Sequence, residues 1–375
     1  MSKSSLSYHR IVAKLGTNLL TGGTGQLDFD IMSRLVTQVA QLHRQGLELL
    51  VVSSGAIAAG RHKLGLAKEL KGIPYKQVLA AVGQSHLMQA YEQLLNQHGI
   101  AAAQALLAKA DLVDRAGYLN ARNTLLALLE LGVLCIVNEN DVVAVDEILE
   151  AKFGDNDNLS AMVANLIDAD LLIMLTDTAG LFIGDPQRSP DARLIPQVEV
   201  IDTEIERLAT DTHSRVGTGG MATKLEAARL ATASGITVII ADGNEPDVIL
   251  RLAAGEAIGT RFLPTSSKLE SRKRWMLSGL AAKGKLLIDV GAALAIKKQK
   301  RSLLAAGIRG VEGEYERGDI VNIHDTDDSR LGCGITNYRS SDILAIKGVH
   351  SGQIACLLGY NYGAEVVHRN NLIIF

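Results

Sequence analysis

The sequence predicts an α/β fold: an open, mainly parallel sheet sandwiched by helices, followed by a small, mostly-β, barrel-like domain. Three observations carry that reading. Through roughly the first 260 residues, short aliphatic runs alternate with longer stretches of helical period, as when strands and helices take turns. Each short run is nearly continuous in apolar residues, as expected of strands covered on both faces of a parallel sheet. After about Leu263 the pattern changes to short strands separated by turn residues. A chain of 375 residues exceeds one typical domain, so two are expected. The divisions are 1–262 for the α/β domain, 263–283 for a polar, basic connector containing KLESRKRW, and 284–375 for the β domain. A composition 47% hydrophobic but 4% aromatic gives a large interior packed mainly by Ala, Leu, Val and Ile.

Ligands of open parallel sheets bind at the carboxyl ends of the strands, so the residues there are read one strand at a time. The first strand, Ile11–Leu15, carries Lys14 to its end, followed by Gly16 and Thr17. Lys14 is either a solvated surface charge or an ammonium aimed at a ligand. The second, Leu47–Val52, runs into SSGAIAAG, where Ser54 is either a donor to an anion or a plain helix N-cap. The third, Leu134–Val137, is followed by NEND, a polar cluster that includes Asp141. GDNDN at 154–158 opens a helix with Leu159, Met162, Val163, Leu166 and Ile167 on one face. Asn156 and Asp157 either cap that helix or face the ligand. The segment lacks the 12-residue spacing and distal Glu of a calcium loop. The fourth strand, Leu171–Leu175, leads to Thr176, Asp177 and Gly180, placed to meet a nucleotide, and the fifth is Thr237–Ile240.

GTGGMATK at 217–224 is the strongest local signal. Gly217, Gly219 and Gly220 let backbone N–H groups approach an anion without Cβ collisions. Thr218, Met221, Ala222 and Thr223 complete the loop, and Lys224 falls in the first turn of the next helix, where unpaired N–H groups already favour phosphate. The spacing is not that of a Walker loop. Taken alone, the segment is either a phosphate cradle or a flexible turn before an ordinary helix.

Together these clusters hold two lysines and no evident His or Cys nucleophile, which suits phosphoryl transfer by positioning and charge neutralisation. A unit charge pair ~4 Å apart contributes roughly 4 kcal/mol at an effective dielectric near 20, so two placed lysines matter. A carboxylate acceptor, with a reference pKa near 4.3, is already ionised at neutral pH and needs no general base.

VAKLGTN, SSGAIAAGR, NEND, GDNDN, LTDTAGL and GTGGMATK occur in an order that resembles the amino-acid kinase superfamily. SSGAIAAGR, AAVGQ (80–84), LNARNTL (119–125) and RKRW make the chain most similar to the glutamate 5-kinase family, and 284–375 looks like a PUA domain. The resemblance implies transfer of the ATP γ-phosphoryl group to the side-chain carboxylate of L-glutamate, the first step of proline synthesis, with Mg²⁺ on the nucleotide. It implies that Lys14 and Lys224 stabilise the transferring group and that Asp157 orients them. Ser54, Asp141 and Asn156 would bind glutamate, and Lys14, Thr176, Asp177 and residues 218–224 would hold ATP. It also implies feedback inhibition by proline and a homo-oligomer, dimer or tetramer. The stretch EILEAKFGDND is a few residues longer than the compact family form, Ser53 stands where a threonine is common, and Ala222 where serine or glycine is. Kinases of aspartate, N-acetylglutamate, carbamate or a nucleotide monophosphate are the competing siblings. A free substrate ammonium calls for an acid such as Asp141, which N-acetylglutamate does not.

Bulk properties narrow the remaining classes. Formal net charge is −3, so no global field recruits nucleic acid or an acidic membrane. Residues 284–375 carry 11 Lys and Arg against 10 Asp and Glu, which disfavours specific RNA binding; KKQKR at 297–301 reads as solvated surface. Three scattered cysteines without CxxC spacing fit a reducing compartment. With no apolar leader and no apolar run near ~18 residues, the expectation is a cytoplasmic protein without a membrane partner.

Overall fold

The computed structural model describes residues 8–66, 72–144, 156–184, 191–210, 220–268 and 282–375. Gly217, Thr218 and Gly219, the start of GDNDN, the stretch before it, and residues 269–281 of the connector lie outside the described residues. By their contacts the residues form two units, Met1–Leu112 with Ala121–Lys268, and Val113–Asn120 with Leu269–Phe375.

The first unit is built on strands β1 (Arg10–Leu15), β2 (Glu48–Ser53), β3 (Ala102–Leu107), β4 (Leu134–Glu139) and β5 (Leu171–Thr176). A short hairpin, β6 (Phe182–Ile183) and β7 (Arg193–Leu194), follows, then β8 (Gln197–Val198), β9 (Thr237–Asp242) and β10 (Thr260–Phe262). Eight of these make one sheet in the order β3-β4-β2-β1-β5-β9-β10-β8. β1 to β5 and β9 are parallel, and β10 runs antiparallel to β9. The carboxyl ends of β1, β2, β4, β5 and β9 therefore share one edge, with Leu15 level with Ser53 and Leu175.

Both faces are covered, as the apolar runs require. On one face Ile11, Leu15, Val51, Ile136, Ile173 and Ile239 join a core with Met32, Leu35 and Val39 of helix Phe29–Arg44 and Leu87 and Tyr91 of helix Ile73–Asn96. Strand side chains alternate, so Lys14 lies on the opposite face with Val12. There helix Asp157–Leu166 packs against β1 and against helix Met221–Ala233.

All five expected strands form, with β4 running two residues further than the apolar run suggested. Asn138 and Glu139 are thus buried strand residues, not part of a loop. β3 was not anticipated. Its sequence, AAQALL, is Ala-rich and only partly buried, because it pairs on one side alone at the sheet edge.

The second unit holds a mixed sheet of β11 (Gly284–Ile288), β13 (Ile308–Glu312), β14 (Ile320–His324), β15 (Arg330–Ile335) and β17 (Leu372–Ile374), ordered β13-β11-β14-β15-β17. β12 (Leu303–Leu304) pairs separately with β16 (Glu365–Val367). Helices Val290–Gln299 and Ser340–Ile346, unforeseen in the sequence, pack Ile296, Ile343 and Ile346 into its core. All five residues of KKQKR, at the end of the first of these helices, are exposed, as expected.

Candidate active site

Three parts of the chain meet at one carboxylate. Lys14 Nζ lies 2.8 Å from Asp157 Oδ1, and Lys224 Nζ lies 3.2 Å from Asp157 Oδ2. Thr223 Oγ1 donates to the same Oδ2 at 2.8 Å. All four side chains are buried. β1 supplies Lys14, while Asp157 and Lys224 sit in the first turns of helices that start side by side. Two helix N-termini, with their N–H groups and positive dipole ends, thus accompany the two ammonium groups. Burial alone would push the Asp157 carboxyl up. The charges of Lys14 and Lys224, with hydrogen bonds from Lys14 and Thr223, outweigh it and hold the group below its ordinary value. Asp157 is therefore an anion at neutral pH and keeps both lysine heads in place.

A second group of residues adjoins this one through Asn156, at the N-cap position. Its side chain does not cap the helix. Its Nδ2 instead donates to the Ser53 carbonyl, to Asn138 Oδ1 at 2.6 Å and, more weakly, to Ser54 Oγ at 3.5 Å. The N-cap alternative for Ser54 also fails. Gly55 occupies that position at φ +95°, which favours glycine, and no side chain caps the helix. Ser54 and Asn156 are thus brought together. Asp141 lies half-buried two residues beyond β4, in the turn whose Val142 carbonyl accepts from Gln77 Nε2 at 2.9 Å.

Residues expected at the nucleotide occupy the same sheet edge. Thr176 ends β5 and donates to Asp177 Oδ1 at 3.0 Å, and Asn18 Nδ2 donates to Asp177 Oδ2 at 3.1 Å. Gly220 caps helix Met221–Ala233 with no side-chain cap, and a Cβ there would meet nothing within 4 Å among the described residues. No contact with the described residues therefore demands a glycine at that point. Met221 is half-buried and Ala222 exposed, while Thr223 Oγ1 also lies 2.8 Å from the Gly220 carbonyl oxygen. Thr218 and Gly219 are outside the described residues.

Sequence reasoning placed Thr223 in the ATP loop and Asn138 in the polar cluster after the Leu134–Val137 run, without their partners, and did not single out Asn18, Gln84 or Arg122. Thr223 acts on Asp157, and Asn18 on Asp177. Asn138 and Gln84 extend the Asn156 network, with Asn138 Nδ2 donating to Gln84 Oε1 at 2.6 Å. Gln84 ends the AAVGQ segment, and Asn138 opens NEND, so both stood inside segments already singled out. Arg122, in LNARNTL, is buried at the other end of the Asp157 helix, where it donates to the Leu166 carbonyl and pairs with Asp168 at 2.6 Å. It secures the C-terminus of that helix. A separate cavity of about 330 Å³ between Gln41 and Pro246 contains none of these residues.

The amino acid kinase family model matches residues 9–242, and the PUA domain model matches residues 284–357. A glutamate 5-kinase of Dehalococcoides mccartyi is 61% identical over 98% of both chains. Glutamate 5-kinases of Herpetosiphon aurantiacus (50%, covering 98% of this chain and 99% of that one) and Shewanella amazonensis (51%, 100% and 98%) are similar throughout. The chain belongs to the amino acid kinase family, among its glutamate 5-kinases. As a kinase of this family it is an enzyme that uses ATP, and its sheet with helices on both faces is the amino acid kinase fold, joined to a β-rich PUA domain. Among the described residues of this kinase, no helix is long and apolar enough to cross a membrane.

Proposed function

We propose that this chain transfers the γ-phosphoryl group of ATP to the side-chain carboxylate of L-glutamate, giving L-glutamyl 5-phosphate. The observation that carries the reading is the pair of buried lysines gathered on Asp157 beside two helix N-termini. In the step, a glutamate carboxylate oxygen forms a bond to the γ-phosphorus as the bond to the β,γ-bridging oxygen breaks, and ADP leaves with that electron pair. No proton moves, so no general base is required. Lys14 and Lys224 neutralise charge on the transferring oxygens, and Asp157 keeps the two ammonium groups together. Ser54 donates to substrate carboxylate, Asn156 lines the glutamate site while its amide holds Ser53 and Asn138 in place, Asp141 pairs with the substrate ammonium, and Thr176, Asp177 and residues 218–224 hold ATP.

Mg²⁺ would enter on the nucleotide phosphates, the usual mode for this ion. Asp157 fits that arrangement, because Lys14, Lys224 and Thr223 already occupy its two oxygens. The ion supplies charge neutralisation on the phosphates. Residues 1–262 form the catalytic domain, 263–283 the connector and 284–375 the PUA domain, of a cytoplasmic homo-oligomer inhibited by proline. Near-neutral charge argues against RNA as a regular partner of residues 284–375.

The test is an assay of purified protein with ATP, hydroxylamine and either glutamate or N-acetylglutamate. Hydroxamate formation from glutamate is expected. Hydroxamate from the acetylated compound alone overturns the reading. Adding proline to the same assay tests inhibition, and light scattering tests the dimer or tetramer.

A further inference from the structure

The Asn156 network ends in a buried donor. Gln84 Nε2 is shielded from solvent and has no hydrogen-bond partner among the described residues. Its orientation follows from the backbone. The Glu139 N–H can only donate, and it donates to Asn138 Oδ1 at 2.9 Å, which fixes that amide's oxygen. Asn138 Nδ2 must then face Gln84, so Gln84 offers Oε1 to it at 2.6 Å. Flipping Gln84 would set two N–H₂ groups against each other. Its own N–H₂ group is therefore directed away from Asn138.

The helix carrying Gln84 is held tightly. One residue earlier, a Cβ on Gly83 would lie 1.8 Å from the Ala56 carbonyl oxygen, and a Cβ on Gly60 would lie 1.9 Å from that of Leu79. Only two glycines permit this crossing. It sets Gln84 beside the first turn of the helix that follows Ser54. A buried donor left unmade is costly, so a side chain fixed this way calls for an acceptor.

We propose that Gln84 Nε2 binds the α-carboxylate of the amino-acid substrate. The inference rests on the glutamate reading above and deepens it. The network runs from Asp157 and its lysines through Asn156 and Asn138 to Gln84, so Gln84 stands at the end farthest from the transferring phosphoryl group. The substrate carboxylate that is not phosphorylated belongs there. An amide N–H to a carboxylate is a charge-assisted bond, stronger than one between neutral groups.

Gln84→Glu is the decisive variant. It keeps an acceptor for Asn138 Nδ2 while replacing the free donor with an oxygen that repels carboxylate. KM for glutamate should rise roughly 10- to 100-fold, the range for a hydrogen bond to a charged group. KM for ATP and kcat should stay within experimental error of wild type, while the buried carboxylate lowers the melting temperature. Gln84→Ala should raise KM for glutamate with the same selectivity. An unchanged KM for glutamate in both variants means that an ordered water alone satisfies the donor, and overturns the assignment. Equal changes in both KM values mean a merely structural role, and also overturn it. Wild-type protein that does not phosphorylate glutamate at all defeats the functional reading, and this assignment with it.

Discussion

The ammonium groups of Lys14 and Lys224 rest on the two oxygens of a single carboxylate, that of Asp157, at 2.8 and 3.2 Å. One lysine comes from the first strand and the other from the start of a helix more than half the chain later. Removing charges from water is costly unless they are paired, so the trio is an energetic unit: none of its members is stable in that place alone. Asp157 thereby fixes the spacing of two positive groups where a ligand of the sheet edge arrives.

Replacing Lys224 with Ala should lower kcat on the order of 10²–10³-fold, the effect of losing one donor to the transition state. Lys14 still neutralises Asp157, so the variant should fold and melt cooperatively. Steady-state kinetics and a thermal melt check this. Near-normal turnover in a folded variant would show that the loop has another role.

Asp141→Ala separates the two substrates. The proposed pairing of Asp141 with the substrate ammonium predicts a raised KM for glutamate and an ATP affinity little changed. Titration of a nucleotide analogue with each protein measures the second quantity. A collapse of nucleotide affinity moves Asp141 to the other half of the site.

The depressed Asp157 carboxyl makes stability depend on pH in a defined direction. Its folded value lies below the unfolded reference near 3.9, so its contribution is complete above about pH 4 and fades as pH falls through the lower folded value. Asp157→Asn leaves two buried ammonium groups facing a neutral amide and should cost about 3–5 kcal/mol at neutral pH. Urea midpoints measured from pH 6 to pH 3 should show the gap between wild type and variant narrowing in the acid range. A gap that stays constant contradicts the assigned charge state.

Gly83→Ala tests the helix crossing that sets Gln84. A methyl group 1.8 Å from a backbone oxygen forces the helices apart, with a cost of about 1–3 kcal/mol for overpacking. The melting temperature should fall, and KM for glutamate should rise more than KM for ATP. Gly220→Ala is the control, since a Cβ there meets no atom of the described residues within 4 Å and should leave the melt unchanged.

Much of the site was legible because parallel-sheet geometry is simple. Once Ile11–Leu15 and Leu171–Leu175 read as buried strands, Lys14 and Thr176 had to lie at one edge, and glycines before a helix marked Lys224. The parts that were not legible depend on tertiary partners. Asn156 looks like an N-cap in sequence, yet neighbouring strands take its amide. Gln84 looks like any half-buried helical polar residue. Its meaning comes from an orientation passed along from the Glu139 backbone N–H through Asn138. β3 escaped notice because an edge strand with one paired side tolerates Ala and Gln, which carry no strand signal.

The most direct test is a crystal structure with glutamate and a non-hydrolysable ATP analogue. Both Lys14 Nζ and Lys224 Nζ should lie within about 3.2 Å of oxygens on the same terminal phosphate, with the glutamate side-chain carboxylate facing its phosphorus. A terminal phosphate touched by neither lysine, or by only one of them, would contradict the account.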